Sequence, residues 1–249
     1  MWRKATTGRP AAWEVAGLEW LADAKGARIV RVLERDATGL AGFGWLGLAE
    51  LTSSPPSRAA AEDFGRALAA THAAGAPAHG VGPDGWGGDG YQGPNEHLLP
   101  LLLRPCQRWG QMYAELRIRP LMHHSRWLQG PELEALCDRL TAGEFDTDDA
   151  PARIHGDLWS GNVMWTPDGV VLIDPSAHGG HRESDLAALG LFGCPQLERI
   201  LAAYDECAPL ADGWRGRVAL HQLQMVAMHA VVFGGGYADQ AIRIARQYL

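Results

Sequence analysis

Apolar positions in the first fifty residues follow two different spacings. Helical spacing predicts a helix from Pro10 through Ala24, on the positions Trp13, Ala16, Leu18 and Leu21. A strand-like run follows at Ala27–Arg35, then a predicted turn at Asp36–Gly39 and an apolar stretch at Leu40–Leu48. Together these patterns predict a small unit that mixes helix and strand.

Beyond Ser53–Pro56 the spacing becomes mostly helical, and we interpret this proline-containing segment as a link between two parts of the chain. Ser57 is the predicted N-cap of a helix that carries Phe64, Leu68 and Ala69 and ends at Gly75. The glycine-dense segment His79–Gly93 is a predicted loop. Further helices are predicted at Arg104–Arg119, Pro131–Thr141, Glu183–Leu191, Gln196–Tyr204, Arg215–Phe233 and Ala238–Leu249. We therefore expect a small part, residues 1–52, and a larger, mostly helical part, residues 53–249.

One segment of the second part has a different character. Two short apolar strands flank Pro167-Asp168-Gly169, where proline presets φ and glycine accepts a positive φ, so the segment predicts a β-hairpin. Asn162 and Asp174 are equidistant from Asp168, and an ideal register centred there would place their Cβ atoms roughly 5 Å apart. Asp157 lies one short loop earlier. The hairpin therefore predicts that an amide and two carboxylates meet at one edge.

Such a group of hard oxygen donors suits Mg²⁺, which proteins usually hold through one or two carboxylates plus substrate phosphates. The spacing of Asp157, Asn162 and Asp174 is that of a kinase catalytic loop and its metal-binding aspartate. In that arrangement the first aspartate accepts the proton of the substrate hydroxyl, and the other two residues hold metal ions that bridge the nucleotide phosphates. The alternative is a structural hairpin whose polar residues only cap turns.

Three neighbouring features leave alternatives open. His155 either orders the loop through a backbone hydrogen bond, which we favour, or ligates a metal. A zinc site on His178, His181, Glu183 and Asp185 is the less favoured interpretation of that cluster, because no cysteine accompanies it. Trp159 either packs against a substrate or belongs to the core.

Composition excludes several classes of protein. Apolar residues make up 47% and charged residues 20% of the 249 residues, which is typical of a globular protein. The net charge of -7 argues against a nucleic-acid-binding protein, and no run reaches the about 18 apolar residues of a membrane helix. The four cysteines form no Cys-x-x-Cys pair, and residues 1–10 lack the apolar core of a signal peptide. We therefore expect a cytoplasmic protein with reduced cysteines.

Several long motifs resemble the fructosamine kinase family: HGDLWSGN at 155–162, IDPSA at 173–177 and GGHRESDLA at 179–187, with 65–80 and 221–237 beside them. The resemblance implies an α+β, protein-kinase-like fold of the aminoglycoside phosphotransferase type, with two lobes. It also implies that ATP and Mg²⁺ are used to phosphorylate a sugar hydroxyl of a ketosamine, either a small molecule or protein-bound. Loss of the phosphorylated sugar would then free the amine, which is deglycation.

The resemblance assigns roles to residues around the hairpin. Asp157 would be the base, Asn162 and Asp174 the Mg²⁺ ligands, and Trp159 a residue on the substrate side. Asp185 is similar to the acidic residue that supports the catalytic loop in such kinases.

It also assigns residues of the first part to the nucleotide. Lys4 resembles the lysine that contacts the phosphates, Glu14 resembles its helix partner, and Glu50 and Leu51 would lie at the hinge that holds adenine. Lys4 and Lys25 are the chain's two lysines, and the alternative for Lys4 is an exposed charge near the start of the chain.

The resemblance departs from the family pattern at the start of the chain. Three residues precede Lys4, so the strands around a glycine-rich phosphate loop are not represented in the sequence. We expect either a piece of a longer protein or a small lobe that is truncated. Gly-x-Gly-x-x-Gly occurs at Gly42–Gly47 and repeatedly within Gly80–Gly93, but neither place precedes a phosphate-binding helix. Two alternatives therefore remain: a small-molecule kinase for an aminoglycoside or choline, and a pseudokinase without activity. The oligomeric state is not predicted.

Overall fold

The computed structural model describes residues 1–6, 8–35 and 45–249. The helices are α1 Gly8–Asp23, α2 Arg58–Ala73, α3 Trp109–Tyr113, α4 Arg119–His124, α5 Pro131–Ala142, α6 Arg182–Leu191, α7 Leu197–Cys207, α8 Trp214–Phe233 and α9 Tyr237–Gln247. The strands are β1 Trp2–Lys4, β2 Arg28–Ile29, β3 Val32–Arg35, β4 Leu46–Leu48, β5 Gly90–Gln92, β6 Leu99–Leu101, β7 Ala152–Ile154, β8 Val163–Thr166, β9 Gly169–Leu172 and β10 His178–Gly180.

The strands form four small sheets. β1, β4 and β3 pair antiparallel in the order β1-β4-β3, β5 pairs with β6, and β7 pairs with β10. In the remaining sheet β8 and β9 form the predicted hairpin, and β2 runs parallel to β9 along its other edge. Strand β2 therefore connects the first part of the chain directly to the hairpin.

The strand-like run at Ala27–Arg35 is two strands rather than one. β2 pairs with β9 while β3 pairs with β4, so the chain changes sheets between Ile29 and Val32. Alternation of apolar residues does not reveal this change, because Ile29 of β2 is buried and Val32 of β3 packs, half-buried, against the same core. The predicted turn at Asp36–Gly39 lies outside the described residues, as does most of the apolar stretch Leu40–Leu48.

The predicted loop His79–Gly93 contains a strand. β5 occupies its last residues, and His79 forms an isolated antiparallel bridge with Cys106. Gly90 in β5 lies against the ring of Trp13, where a Cβ would come within 2.6 to 2.7 Å of ring carbons. Here glycine serves close packing within a strand, so its presence did not indicate a loop.

The helix predicted at Arg104–Arg119 has different bounds. The helix begins at Trp109 and widens into a π-helical segment at Ala114–Ile118. It then continues as α4, which contains Pro120 in its first turn. Proline in a regular α-helix loses a backbone hydrogen bond and clashes with the preceding turn. The wider turn just before α4 lets the helix continue past Pro120, beyond the predicted end at Arg119.

Two hydrophobic cores hold these elements. The first packs α1, α2 and α7 around the hairpin, on residues such as Leu18, Leu68, Leu172 and Tyr204. The second packs α3, α5, α8 and α9 together. Residues from both predicted parts of the chain contribute to the first core, so α1 and the small sheet are fixed against the hairpin. Among the described helices, none is long and apolar enough to cross a membrane.

Candidate active site

The hairpin has a register that differs by one residue from the predicted one. Val163 lies opposite Leu172, and the backbone N–H of Ile173 donates to the carbonyl of Asn162 at 3.2 Å. Asn162 therefore faces Ile173 rather than Asp174. The length of the turn explains the difference. Thr166 pairs with Gly169, so only two residues connect the strands, whereas the prediction centred the hairpin on Asp168.

Asn162 and Asp174 nevertheless approach each other, because neither is in regular strand geometry. Asn162 ends a 3-10 turn, Ser160–Asn162, and Asp174 has a left-handed backbone with φ of 53°. The amide nitrogen of Asn162 donates to the Asp157 carbonyl at 2.7 Å and to its carboxylate at 3.2 Å. All three residues line one cavity of about 280 Å³.

Lys4 reaches the same cavity from β1. Its Nζ lies 2.9 Å from Glu14 Oε2 and 2.9 Å from Asp174 Oδ1, and its side chain is only 13% exposed. Burial alone would lower the pKa of Lys4, but the two carboxylates outweigh burial and raise it. The lysine is therefore a fixed positive charge between α1 and the end of the hairpin, not an exposed charge.

Two carboxyl groups of the cavity have raised pKa values. Burial is the main cause for Asp157, whose pKa rises to about 8 although the hydrogen bond from Asn162 opposes the shift. Burial also raises the pKa of Glu14, and the attraction of Lys4 opposes it. The Oε1 atom of Glu14 is buried and has no hydrogen-bond partner among the described residues. This concentration of oxygen donors fits a divalent cation, because Mg²⁺ prefers carboxylate and amide oxygens.

A buried aspartate supports the loop that carries Asp157. Asp185 is 1% exposed and accepts hydrogen bonds from the backbone N–H groups of His155 at 2.7 Å and Gly156 at 2.9 Å. Its carboxylate also lies 3.1 Å from Nε2 of His72. His155 is buried, and its Nε2 donates to the Ile173 carbonyl at 2.9 Å. His155 therefore orders the loop, as favoured from the sequence.

A second cavity, of about 310 Å³, adjoins the first at Asp174, which lines both. Glu50 and Leu51 lie on its wall, together with apolar side chains from several strands and the residues that follow them: Val30, Leu48, Met164 and Ile173. A mostly apolar cavity of this size is suited to a heterocyclic base.

Trp159 lies at the wall of the first cavity and not in a core. Its side chain is 37% exposed, and its ring packs edge-on against Phe192 with centroids 5.9 Å apart. The structure therefore brings Lys4, Glu14, Asp157, Trp159, Asn162 and Asp174 to one cavity and places Glu50 and Leu51 at its neighbour.

Comparison with known proteins identifies the family. Residues 7–249 match the family model for fructosamine kinase. The chain belongs to the fructosamine kinase family. It is therefore a phosphotransferase, and membership in a kinase family implies use of ATP.

Relatives by sequence support this membership. A probable ketoamine kinase from Synechocystis sp. is 30% identical over 239 residues, which is 95% of this chain and 77% of that protein. The ketosamine-3-kinase of Mus musculus is 33% identical over 145 residues, which is 56% of this chain and 47% of that protein.

Solved structures agree on the fold. A crystal structure of a "putative fructosamine-3-kinase" from Thermobifida fusca is 41% identical and superposes with a TM-score of 0.82 over 98% of this chain and 81% of that one. A choline/ethanolamine kinase family protein from Mesorhizobium loti, at 14% identity and a TM-score of 0.56, shares the fold. The α+β, kinase-like fold predicted from the motifs is thus confirmed.

In this member of the fructosamine kinase family, the histidine cluster forms a structural network of hydrogen bonds. Ligand atoms of His181, Glu183 and His221 lie within 4.8 Å of one another, and all three residues are buried. However, Arg217 donates to both carboxylate oxygens of Glu183, and both ring nitrogens of His181 have hydrogen-bond partners. A metal ion would have to displace these partners. His178 is not in the cluster, since its Nδ1 pairs with a backbone carbonyl.

Several cavity residues were missed by analysis of the sequence. Tyr91, Gln92 and Asn95 come from β5 and the turn after it, and His229 and Phe233 come from the end of α8. No spacing rule connects these segments to the hairpin, because they meet it only through the tertiary fold. The available signal was the family-like segment 221–237, which contains both α8 residues.

Proposed function

We propose that this protein transfers the γ-phosphoryl group of ATP to a sugar hydroxyl of a ketosamine, in a reaction that requires Mg²⁺. The observation that carries the proposal is the meeting of Lys4, Glu14, Asp157, Asn162 and Asp174 around one cavity that opens at Asp174 onto a mostly apolar one. The names of the relatives, probable ketoamine kinase and ketosamine-3-kinase, support the substrate class.

We assign the nucleotide to the boundary between residues 1–52 and 53–249. Adenine occupies the second cavity, where backbone groups near Glu50 and Leu51 hold its edge. Lys4, fixed by Glu14, points its ammonium group at the phosphates. In this placement the reacting phosphate lies where the two lobes meet. The division of the chain into two lobes therefore has a functional reason.

Asn162 and Asp174 are the proposed Mg²⁺ ligands. A divalent cation bound there would neutralise the negative charge of the phosphates and hold them for transfer. The side chain of Asp174 is 38% exposed toward the cavity, and its present partner Lys4 also faces the phosphates in this assignment. Asn162 is held in place by its hydrogen bonds to Asp157.

Asp157 is the proposed base. Its carboxylate accepts the proton of the sugar hydroxyl while that oxygen forms a bond to phosphorus and the bond from phosphorus to ADP breaks. Asp185 and His155 fix the backbone on either side of this loop, so the carboxylate keeps its direction. Trp159 lines the side on which the acceptor enters. Breakdown of the phosphorylated ketosamine then releases the amine.

The test is phosphorylation of a ribulosamine and a fructosamine with ATP and Mg²⁺, followed by mass spectrometry of the product and of the released amine. We expect Asp157→Asn to reduce turnover by at least about 100-fold, the usual contribution of a positioned base. Asp168→Asn makes the same change at the exposed turn of the same hairpin and should leave turnover unchanged. Full activity of Asp157→Asn would contradict the assignment of the base. Phosphorylation of neither ketosamine would contradict the proposed function.

A further inference from the structure

The outer end of the first cavity has two chemically different walls. One is polar and carries the exposed Asn95, with the largely buried Gln92 and Ser176 further in. The other carries the rings of Trp159, His229 and Phe233. A substrate that reaches Asp157 must therefore extend between a hydrogen-bonding surface and an aromatic one.

The rings on that side form a connected set, which we call the aromatic wall: Trp159, Phe192, His229, Phe233 and Tyr237. His229 lies at its centre, with ring centroids 5.0 Å from Phe192, 5.4 Å from Phe233 and 5.1 Å from Tyr237. Phe233 is 62% exposed and Phe192 40% exposed. Large rings exposed together at the mouth of a cavity are typical of a binding surface, whereas a core would bury them.

The aromatic wall has little charge of its own. Nδ1 of His229 donates to the Met225 carbonyl at 2.8 Å within α8, and the other four rings of the wall carry no charge. Burial also lowers the pKa of His229. Among the described residues that line the cavity, the charged ones are at its inner end, around Lys4 and Asp157. The wall thus offers no cation to a carboxylate, while its ring faces attract an ammonium group.

We propose that the aromatic wall binds the amine-derived part of the substrate, and that the protein prefers ketosamines whose amine carries an aromatic group and no carboxylate. This inference rests on the proposed function. With the acceptor hydroxyl at Asp157, the hydroxylated carbons lie along Gln92, Asn95 and Ser176. The secondary ammonium and its substituent then lie over the rings of Trp159 and Phe233.

The experiment compares two ribulosamines that differ only in the amine, one made from benzylamine and one from glycine. Release of ADP gives kcat/KM for each. We expect kcat/KM to be about tenfold higher for the benzylamine adduct, mainly because its KM is lower. One or two aromatic contacts contribute an effect of this size. In Phe233→Ala the ratio should fall towards one, and Phe233→Trp should restore the preference. Phe192→Ala provides a second, independent variant with the same expected direction.

Trp127→Ala is the matched control, because Trp127 is also 62% exposed but does not line the cavity. It should keep both the ratio and the rates of the unmodified protein. Equal kcat/KM for the two adducts, or an unchanged ratio in both phenylalanine variants, would overturn the inference and leave the proposed function standing. If neither adduct is phosphorylated, the proposed function fails, and the inference fails with it.

Discussion

The residues of the site differ in how far their positions can be explained by residues near them in the sequence. Asp157 and Asn162 are five residues apart on one loop, and a hydrogen bond joins their side chains. Lys4 is different, because its partners Glu14 and Asp174 come from a helix and from the end of a hairpin 170 residues away. A lysine near the start of a chain is usually solvated, and only the tertiary contact makes this one part of a site.

Lys4→Met tests this contact. Loss of the ammonium removes a positive charge from the phosphates, and we expect kcat/KM for ATP to fall by about 100-fold, which is the scale for one charged donor in an enclosed site. Steady-state kinetics at saturating ketosamine measures the change.

Lys25→Met is the control, since Lys25 is exposed and is the only other lysine. Its kinetics should match those of the unmodified protein. A Lys4→Met protein with normal kcat/KM for ATP would show that Lys4 does not contact the phosphates.

The elements that support the site depend on close packing between helices. α2 and α7 approach each other closely at Gly65, where a Cβ would lie 2.3 Å from the Ile200 carbonyl oxygen and 3.0 Å from the Tyr204 nitrogen. Both helices pack against the hairpin through the first core. Helical spacing predicted both helices, but it gave no indication of this contact, because glycine contributes nothing to an apolar pattern.

Gly65→Ala should therefore destabilise the protein although alanine favours helix by about 1 kcal/mol. Overpacking against backbone atoms that cannot move far outweighs that gain, and we expect a net loss of about 2 kcal/mol in the free energy of unfolding. Urea denaturation measures it.

Gly216→Ala in α8 is the matched substitution, because nothing lies within 4 Å of the added Cβ. It should be neutral or stabilising. Equal stability changes in the two variants would contradict the packing explanation.

Across the whole molecule, the two cores bury an unusual set of imidazoles. Burial is the main cause of lowered pKa values at His155, His178, His181 and His221, and it lowers the pKa of His178 to about 3. In the unfolded chain these groups titrate near 6.5. The folded protein thus binds fewer protons than the unfolded chain below that pH.

The free energy of unfolding should consequently decrease as pH falls below about 6.5. Each histidine contributes up to about 1.4 kcal/mol per pH unit, and only while the pH lies between its unfolded and folded pKa values. Asp157 and Glu14 act in the opposite direction, because their raised pKa values make the folded state bind protons that the unfolded chain releases. The histidines are more numerous, so we expect a net loss of stability between pH 7 and pH 5 in urea denaturation.

Two variants isolate the cause. His178→Asn should show a slope smaller by about 1.4 kcal/mol per pH unit, whatever its stability at pH 7. His123→Gln changes an exposed histidine and should keep the original slope. A slope in His178→Asn equal to that of the unmodified protein would refute this explanation.

Elements whose contacts lie close together in the chain could be predicted from the sequence. The helix at Gly8–Asp23, the Ser57 cap and the hairpin at 163–172 follow from residues within a few positions of each other. Their hydrogen bonds and exposed faces are set by near neighbours, so spacing predicts them. The polar residues of the catalytic loop are just as local, and their motif indicated the family.

Contacts between segments far apart in the chain became visible only in the folded structure. The hairpin register, the burial of Lys4, the strand hidden in a glycine-rich segment and the aromatic wall all join segments far apart in the chain. Such contacts depend on how two cores pack around the hairpin and where glycines allow close approach. A pattern of apolar and polar positions records which face is buried, but it does not record against which partner.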